Sequence, residues 1–245
     1  YGDDEKGTDN ENRVGPERAI QSGAISKSQI KKAIIIFVIL SFSFGVSLVA
    51  YSMRGSHLVY TLSLIVTGIL SIVAAIKYTA GKTAYGYKGL GDLFVFIFFG
   101  LVGVLGSKFL YTASFELASL LPAMTIGFFS VAVLNLNNMR DWENDKASGK
   151  NTLVVKMGIK KAMHYHFLIV TLGMIAPIFY SLLASFTLVS FVFLLSYFPL
   201  LFHLVRVYKV SDVKYFDPEL KRIALSAFLF SILFFLSTNA LLPKI

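Results

Sequence analysis

Leu117-Ala118-Ser119-Leu120-Leu121-Pro122-Ala123-Met124-Thr125-Ile126-Gly127-Phe128-Phe129-Ser130-Val131-Ala132-Val133-Leu134-Asn135-Leu136-Asn137-Asn138-Met139-Arg140-Asp141-Trp142-Glu143-Asn144-Asp145 decides the fold. Its first part, 117–138, is an apolar run near the roughly 20 residues that cross a hydrocarbon layer. Its end is polar and acidic. If the helix continues, spacings of four residues stack Asn137, Asp141 and Asp145 on one face. Three hard oxygen ligands at the mouth of a membrane bundle suit Mg²⁺ and the phosphates it carries. An acidic cluster beside a membrane core marks a functional site by default.

Six further apolar runs lie on either side. With 117–138 they cover about 33–51, 57–76, 91–112, 164–184, 187–207 and 223–243. The expected fold is therefore all-α, a polytopic bundle with seven spanning helices in this chain. No run shows the alternation of a membrane barrel, and nothing marks off a separate soluble domain. Composition agrees: the 245 residues are 56% hydrophobic and 15% charged, with a mean hydropathy of +0.69. Such a chain lacks the polar surface of a soluble domain. With no cysteine, disulfides and thiolate metal sites are excluded. The chain starts at Tyr1 as if in mid-loop, so an N-terminally incomplete sequence is expected. A signal peptide cannot be judged from such a start.

The net charge of +9 does not call for nucleic acid, because the basic residues border apolar runs. Loops 1–32, 77–90, 139–163 and 208–222 fall on one side. With Arg206 at that edge they hold twenty of the 23 lysines and arginines; Arg54, Lys108 and Lys244 lie opposite. That bias predicts a cytoplasmic position for the long loops, in the inner membrane of a cell. Thirteen of the fourteen carboxylates share the side, with Glu116 the exception. The positive-inside rule does not require this second asymmetry, so it points to a polar site at that face. Longer loops holding more charge of every kind is the plainer alternative.

Three loops carry chemistry. Tyr1-Gly2-Asp3-Asp4-Glu5-Lys6-Gly7-Thr8-Asp9 offers carboxylates, and Asn12-Arg13 through Arg18 to Gly23 adds two arginines that can grip phosphate oxygens. After Asp141 and Asp145 come Lys146, Gly149, Lys150, Asn151 and Thr152, repeating acid then base. The two acidic loops read as a symmetrical arrangement for two Mg²⁺ ions and a diphosphate. The third loop runs from Tyr78 through Lys82, Tyr85, Tyr87 and Lys88 to Asp92, and its glycines argue against a regular helix. Its tyrosines are either interfacial anchors or the lining of a site for an aromatic acceptor or a carbocation. His57, His164, His166 and His203 show no ligand spacing.

With these motifs in hand, the chain resembles the UbiA-type intramembrane prenyltransferases over essentially its whole length. Asn137–Asp145 resembles the family's second Asp-rich motif, and Tyr78 to Lys82 its Tyr-x-x-x-Lys element. Tyr1 to Asp3 looks like the tail of the first Asp-rich motif. Arg18 to Gly23 resembles the Arg-Pro-Leu-x-x-Gly after it, departing at Ala19 and Ile20. Tyr85-Gly86-Tyr87-Lys88-Gly89-Leu90-Gly91-Asp92, the 6–18 loop and Gly149-Lys150-Asn151-Thr152-Leu153 are most similar to the branch acting on 1,4-dihydroxy-2-naphthoate.

The resemblance implies one domain over 1–245 that lacks the first two of nine helices. It implies Mg²⁺ as cofactor, with Asp3, Asn137, Asp141 and Asp145 as ligands and polyprenyl diphosphate and the naphthoate as partners in the bilayer. Asp3, Asp141, Asp145 and Lys82 are then catalytic. Arg18, Lys82 and Lys150 neutralise the diphosphate, and Tyr78, Tyr85, Tyr87 and Asp92 serve the acceptor. The implied reaction ionises the allylic C–O bond, attacks the cation with the naphthoate ring and releases CO₂, giving demethylmenaquinone. Other expectations are a different acceptor (4-hydroxybenzoate or homogentisate), a transporter, or a non-catalytic assembly subunit. A transporter would place charge at midmembrane depth and often carry an internal repeat. Chain length of the prenyl donor and oligomeric state are not legible.

Overall fold

Among the described residues, seven helices are long and apolar enough to cross a membrane, and there is no strand. The structure is a computed structural model describing residues 1–11, 13–184 and 188–240. Asn12, Lys244 and the parts of the expected spans at 187 and beyond 240 lie outside the described residues.

A short α1 (Gly2–Glu5) precedes α2 (Lys27–Ser52) and α3 (Leu58–Thr79). The third span joins α4 (Gly91–Val95), a π-helical stretch (Phe96–Leu105) and α5 (Gly106–Thr112). Then come α6 (Leu120–Arg140), the short α7 (Trp142–Ala147) and α8 (Leu153–Met157), and α9 (Ile159–Ala184). Two 3₁₀ entries lead into α10 (Tyr197–Lys209) and α11 (Phe216–Phe235).

Three of the seven spans start earlier than hydrophobicity alone predicts, because local capping and turn geometry set helix ends. The helix expected from 33 begins at Lys27, where Ser26 and Gln29 form a reciprocal capping box. The one expected from 164 begins at Ile159, directly after Gly158 with its φ of 78° ends α8. The last begins at Val213 rather than 223, capped by the Asp212 side chain on the Lys214 amide.

α6 is the hub. It packs on α9, on the π-helical stretch and on α11, burying Phe129, Leu136 and Met139 against Phe193, Ile223 and Phe230. α2 and α3 are exposed along most of their length and turn Ile36, Phe37 and Phe44 outward, as lipid-facing helices do. Where α6 meets the third span the backbones touch. A Cβ on Gly100 would lie 2.6 Å from Gly127 Cα and 2.7 Å from the Ala123 carbonyl oxygen. Small residues allow that approach where the solvent is lipid.

A buried polar chain also crosses the core. Asn135 Nδ2 donates to the Ala162 carbonyl at 3.1 Å and lies 3.4 Å from His166 Nδ1. His166 and His203 meet through their Nε2 atoms at 2.9 Å, and His203 Nδ1 sits 2.7 Å from Glu219, which Arg222 also grips. The Ala162 carbonyl fixes the Asn135 amide as donor. The remaining links then run in one direction: His166 Nε2–H to His203, and His203 Nδ1–H to Glu219. Both imidazoles are satisfied in their neutral forms. The absence of ligand spacing in the sequence hid this pairing, because His166 and His203 belong to different helices.

Candidate functional site

α6 ends at Arg140, and Asp141 (φ −94°, ψ 11°) separates it from α7. The expected unbroken helix is thus interrupted, yet its register survives. Asp141 N donates to Asn137 O at 3.1 Å, and Asp145 N to Asp141 O at 2.8 Å. Those i→i−4 bonds keep the three side chains near one face. Lys150 N then returns to Asp145 O at 2.8 Å, which folds the loop back and sets Lys150 Nζ 3.4 Å from Asp145 Oδ1.

The first and third loops close over this turn. Tyr87 donates its hydroxyl to Asp3 Oδ1 at 2.7 Å and lies 2.6 Å from the Thr8 hydroxyl. Asn144 Nδ2 donates to Thr8 O at 2.7 Å, and Lys150 Nζ stands 3.9 Å from Asp3 Oδ1. Lys6 Nζ sits 3.9 Å over the Tyr87 ring. Asn151 N donates to Tyr87 O at 3.1 Å. Gly89, with φ 78°, ends the Tyr85–Lys88 turn, a backbone shape that favours glycine. Three loops far apart in sequence thus meet at one end of the bundle.

Asp145 is 1% exposed, and its Oδ2 has no hydrogen-bond partner. Burial pushes its carboxyl up to about 6; Lys150 opposes the shift and the neighbouring Asp141 and Asp3 add to it. Burial also raises the Tyr87 hydroxyl and lowers the Lys6 ammonium. Asp141 is held differently. Arg140 grips it through Nε at 2.9 Å and Nη2 at 2.8 Å, and Arg13 Nη2 lies 3.5 Å away. Arg140 also donates to Asn137 Oδ1 at 2.8 Å. Among the described residues, no three His, Asp or Glu side chains converge closely enough to hold a metal by themselves.

Beside the cluster, Tyr85 donates its hydroxyl to Ala74 O at 2.8 Å and stacks on Phe94 at 3.9 Å between ring centres. Tyr78 meets Tyr85 edge-on at 5.5 Å. These rings open onto an apolar groove of about 590 Å³ between α3 and the third span, lined further by Phe98, Phe99 and Gly103. Asp92 is buried, and its Oδ2 has no hydrogen-bond partner among the described residues.

The structure thus brings together Asp3, Asn137, Asp141, Asp145, Lys150 and Tyr87, and sets Tyr78, Tyr85 and Asp92 beside them. It does not bring in Lys82, which is exposed and makes no ion pair among the described residues. Arg18 is half exposed, 3.8 Å from Asp9. Tyr87, expected on the acceptor side, hydrogen-bonds Asp3 and Thr8. Sequence reasoning read Arg13 only as one of two arginines able to grip phosphate, and gave no role to Arg140, Thr8, Asn144 or Asp217. For Arg140 a signal existed: a basic residue inside an acidic motif at a membrane edge.

The profile of the UbiA prenyltransferase family matches residues 1–237. A 1,4-dihydroxy-2-naphthoate octaprenyltransferase of Haemophilus influenzae is 38% identical over 234 residues, 96% of this chain and 75% of that protein. The protein of the same name from Escherichia coli is 39% identical over 237 residues, 96% of this chain and 76% of that one. The human UbiA prenyltransferase domain-containing protein 1 is 30% identical over 148 residues, 60% of this chain and 42% of that one. No solved structure matches.

Proposed function

The chain belongs to the UbiA prenyltransferase family, and on that premise we propose that it transfers a polyprenyl group from polyprenyl diphosphate to 1,4-dihydroxy-2-naphthoate. The ring carbon forms the new C–C bond, diphosphate and CO₂ leave, and the product is the quinol of demethylmenaquinone because no oxidant takes part. One observation carries the reading. The buried acids Asp141 and Asp145, with Asp3 and Lys150, gather from separate loops near Tyr78, which walls an apolar groove.

The residues fit a divalent cation, which we take to be Mg²⁺. A buried carboxylate with an unpartnered oxygen, Asp145, is the kind of group a cation completes. Mg²⁺ is usually held by one or two carboxylates together with substrate phosphates rather than by an all-protein cage. Asn137, Asp141 and Asp145 would hold one ion and Asp3 would contribute to a second. The metal supplies positive charge to the leaving diphosphate oxygens.

The protein's own groups do the rest. Lys150 is mostly buried between Asp3 and Asp145 and would neutralise diphosphate as a point charge. Tyr87 orients Asp3. Lys82 and Arg18 stand exposed and are proposed to meet the diphosphate from outside. Tyr78, Tyr85 and Phe94 wall the groove, shield a cation by ring contact and exclude water. Asp92 and the tyrosines would orient the ring hydroxyls of the acceptor.

The long loops are proposed to face the cytoplasm in the inner membrane. Cysteine placed at Ser148 in this cysteine-free chain is expected to react with impermeant reagent only from the inside; labelling from outside reverses the topology. The activity itself is tested by incubating membranes with labelled polyprenyl diphosphate, Mg²⁺ and a panel of aromatic acids. Consumption of the naphthoate is expected. Turnover only with 4-hydroxybenzoate or homogentisate would reassign the acceptor, and no turnover with any acid would remove the reading.

A further inference from the structure

We infer that Asp217, at the start of α11, is a positioning residue that acts through Arg140 to keep Asn137 and Asp141 set for the metal–diphosphate; this rests on the function proposed above. Arg140 is 4% exposed and spends its planar fork of donors on three side chains. Nε and Nη2 grip Asp141, Nη2 also reaches Asn137, and Nη1 donates to Asp217 Oδ1 at 2.6 Å. Two of the proposed metal ligands are therefore oriented by one guanidinium. That guanidinium is in turn anchored by a carboxylate 77 residues further along the chain.

Charge explains why the anchor matters. Asp141 faces two guanidinium groups, Arg140 and, at 3.5 Å, Arg13. If both charges fell on Asp141 alone, little of its negative charge would remain for a cation. Asp217 takes one Nη of Arg140 and shares that charge. Each Asp141 oxygen receives one short bond from Arg140 and keeps further acceptor capacity. The packing around the pair is equally specific. Gly15 passes over both arginines, and a Cβ there would lie 2.6 Å from Arg140 Nη2 and 2.7 Å from Arg13 Nη2. The loop thus approaches the two guanidinium groups with bare backbone.

α11 also carries Glu219, which ends the buried polar chain that begins at Asn135 of α6. One turn of α11 therefore holds α6 at Arg140 directly and at Asn135 through two histidines. Asp217 is the half-exposed member, with 49% of its side chain accessible, so it can be changed without opening the core.

The test uses the full-length protein in nanodiscs. Mn²⁺ binding is followed by electron paramagnetic resonance with inorganic diphosphate present, and thermal unfolding is followed in parallel. Asp217→Asn is expected to weaken Mn²⁺ binding about tenfold, in the range seen when a group behind a metal ligand is removed, with an unchanged melting profile. Asp217→Glu, which keeps the charge, is expected to recover most of the affinity. Arg140→Lys, which keeps charge but loses the fork, is expected to bind weakly. Wild-type affinity in Asp217→Asn overturns the inference. So does tighter binding in either Asp217→Asn or Arg140→Lys, since Arg140 would then be a competitor for Asp141. A melting point lowered in step with affinity would make Asp217 a fold residue only. If wild type itself binds no Mn²⁺ with diphosphate, the functional reading fails and this inference with it.

Discussion

Asp145→Asn is expected to lower prenyl transfer by roughly a hundredfold or more, about 2.7 kcal/mol of barrier, while the protein stays folded in the membrane. The swap keeps shape and removes the charge of a carboxylate that is 1% exposed and has one oxygen without a partner. Asp141→Asn is expected to lose as much, because it also removes the anion between Arg140 and Arg13. Stability separates a ligand from a structural acid. In the folded protein the Asp145 carboxyl sits at about 6, above its ordinary 3.8, chiefly because burial disfavours the charged form. A raised carboxyl favours the folded state most below pH 4, and that contribution is lost as pH rises through about 6. In metal-free buffer the wild type should therefore become less stable between pH 4 and 7. Asp145→Asn should lack that part of the decline. Near-normal turnover in both Asn variants would end the diphosphate reading, whatever the melting curves show.

Gly100→Val is expected to prevent stable folding, and Gly100→Ala to lower stability by about 1–3 kcal/mol or more, as overpacked cores do. A new Cβ there meets Gly127 Cα at 2.6 Å and the Ala123 carbonyl at 2.7 Å. Both atoms are backbone of α6 and cannot rotate away as a side chain can. The third span would have to move off the hub, taking Phe94 and the groove wall with it. Gly127→Ala is expected to cost less, because its nearest obstacle is the movable Phe96 ring at 2.7 Å. Gly106→Ala, with nothing within 4 Å, should be neutral or stabilising by up to about 1 kcal/mol, through helix propensity. Thermal unfolding in detergent ranks the three. A Gly100→Ala protein as stable as Gly106→Ala would mean that the two backbones do not touch.

The number of spans was legible because twenty apolar residues in a row leave few alternatives. Their ends were less so, since Ser26 and Asp212 act through geometry that hydropathy does not register. The shared face of Asp141 and Asp145 was legible from spacing alone, and the break at Asp141 did not disturb it because both i→i−4 bonds persist. The contact of Tyr87 was not legible, because a tyrosine in a glycine-rich loop offers no sign of its partner. Only folding brings it to Asp3. Lys82 shows the converse: a matching motif position stands exposed. Asp217 left no trace, since an acid in the first turn of a helix is ordinary dipole chemistry. Its meaning comes from Arg140, and that contact spans 77 positions.

The chain of donors from Asn135 to Glu219 has a consequence for biogenesis. Its four members sit on four different helices: α6, α9, α10 and α11. Released singly into lipid, the helices carrying Asn135, His166 and His203 would each hold a polar side chain without its cross-helix partner, and hydrocarbon offers no substitute. Synthesis delivers them in order, with Glu219 last. Until α11 arrives, His203 has no acceptor for its Nδ1 proton, and α6 lacks both of its ties to that helix. Insertion and assembly of these four helices are therefore coupled. The early ones are sheltered at the insertion machinery, and the contact among the four is complete only when α11 enters.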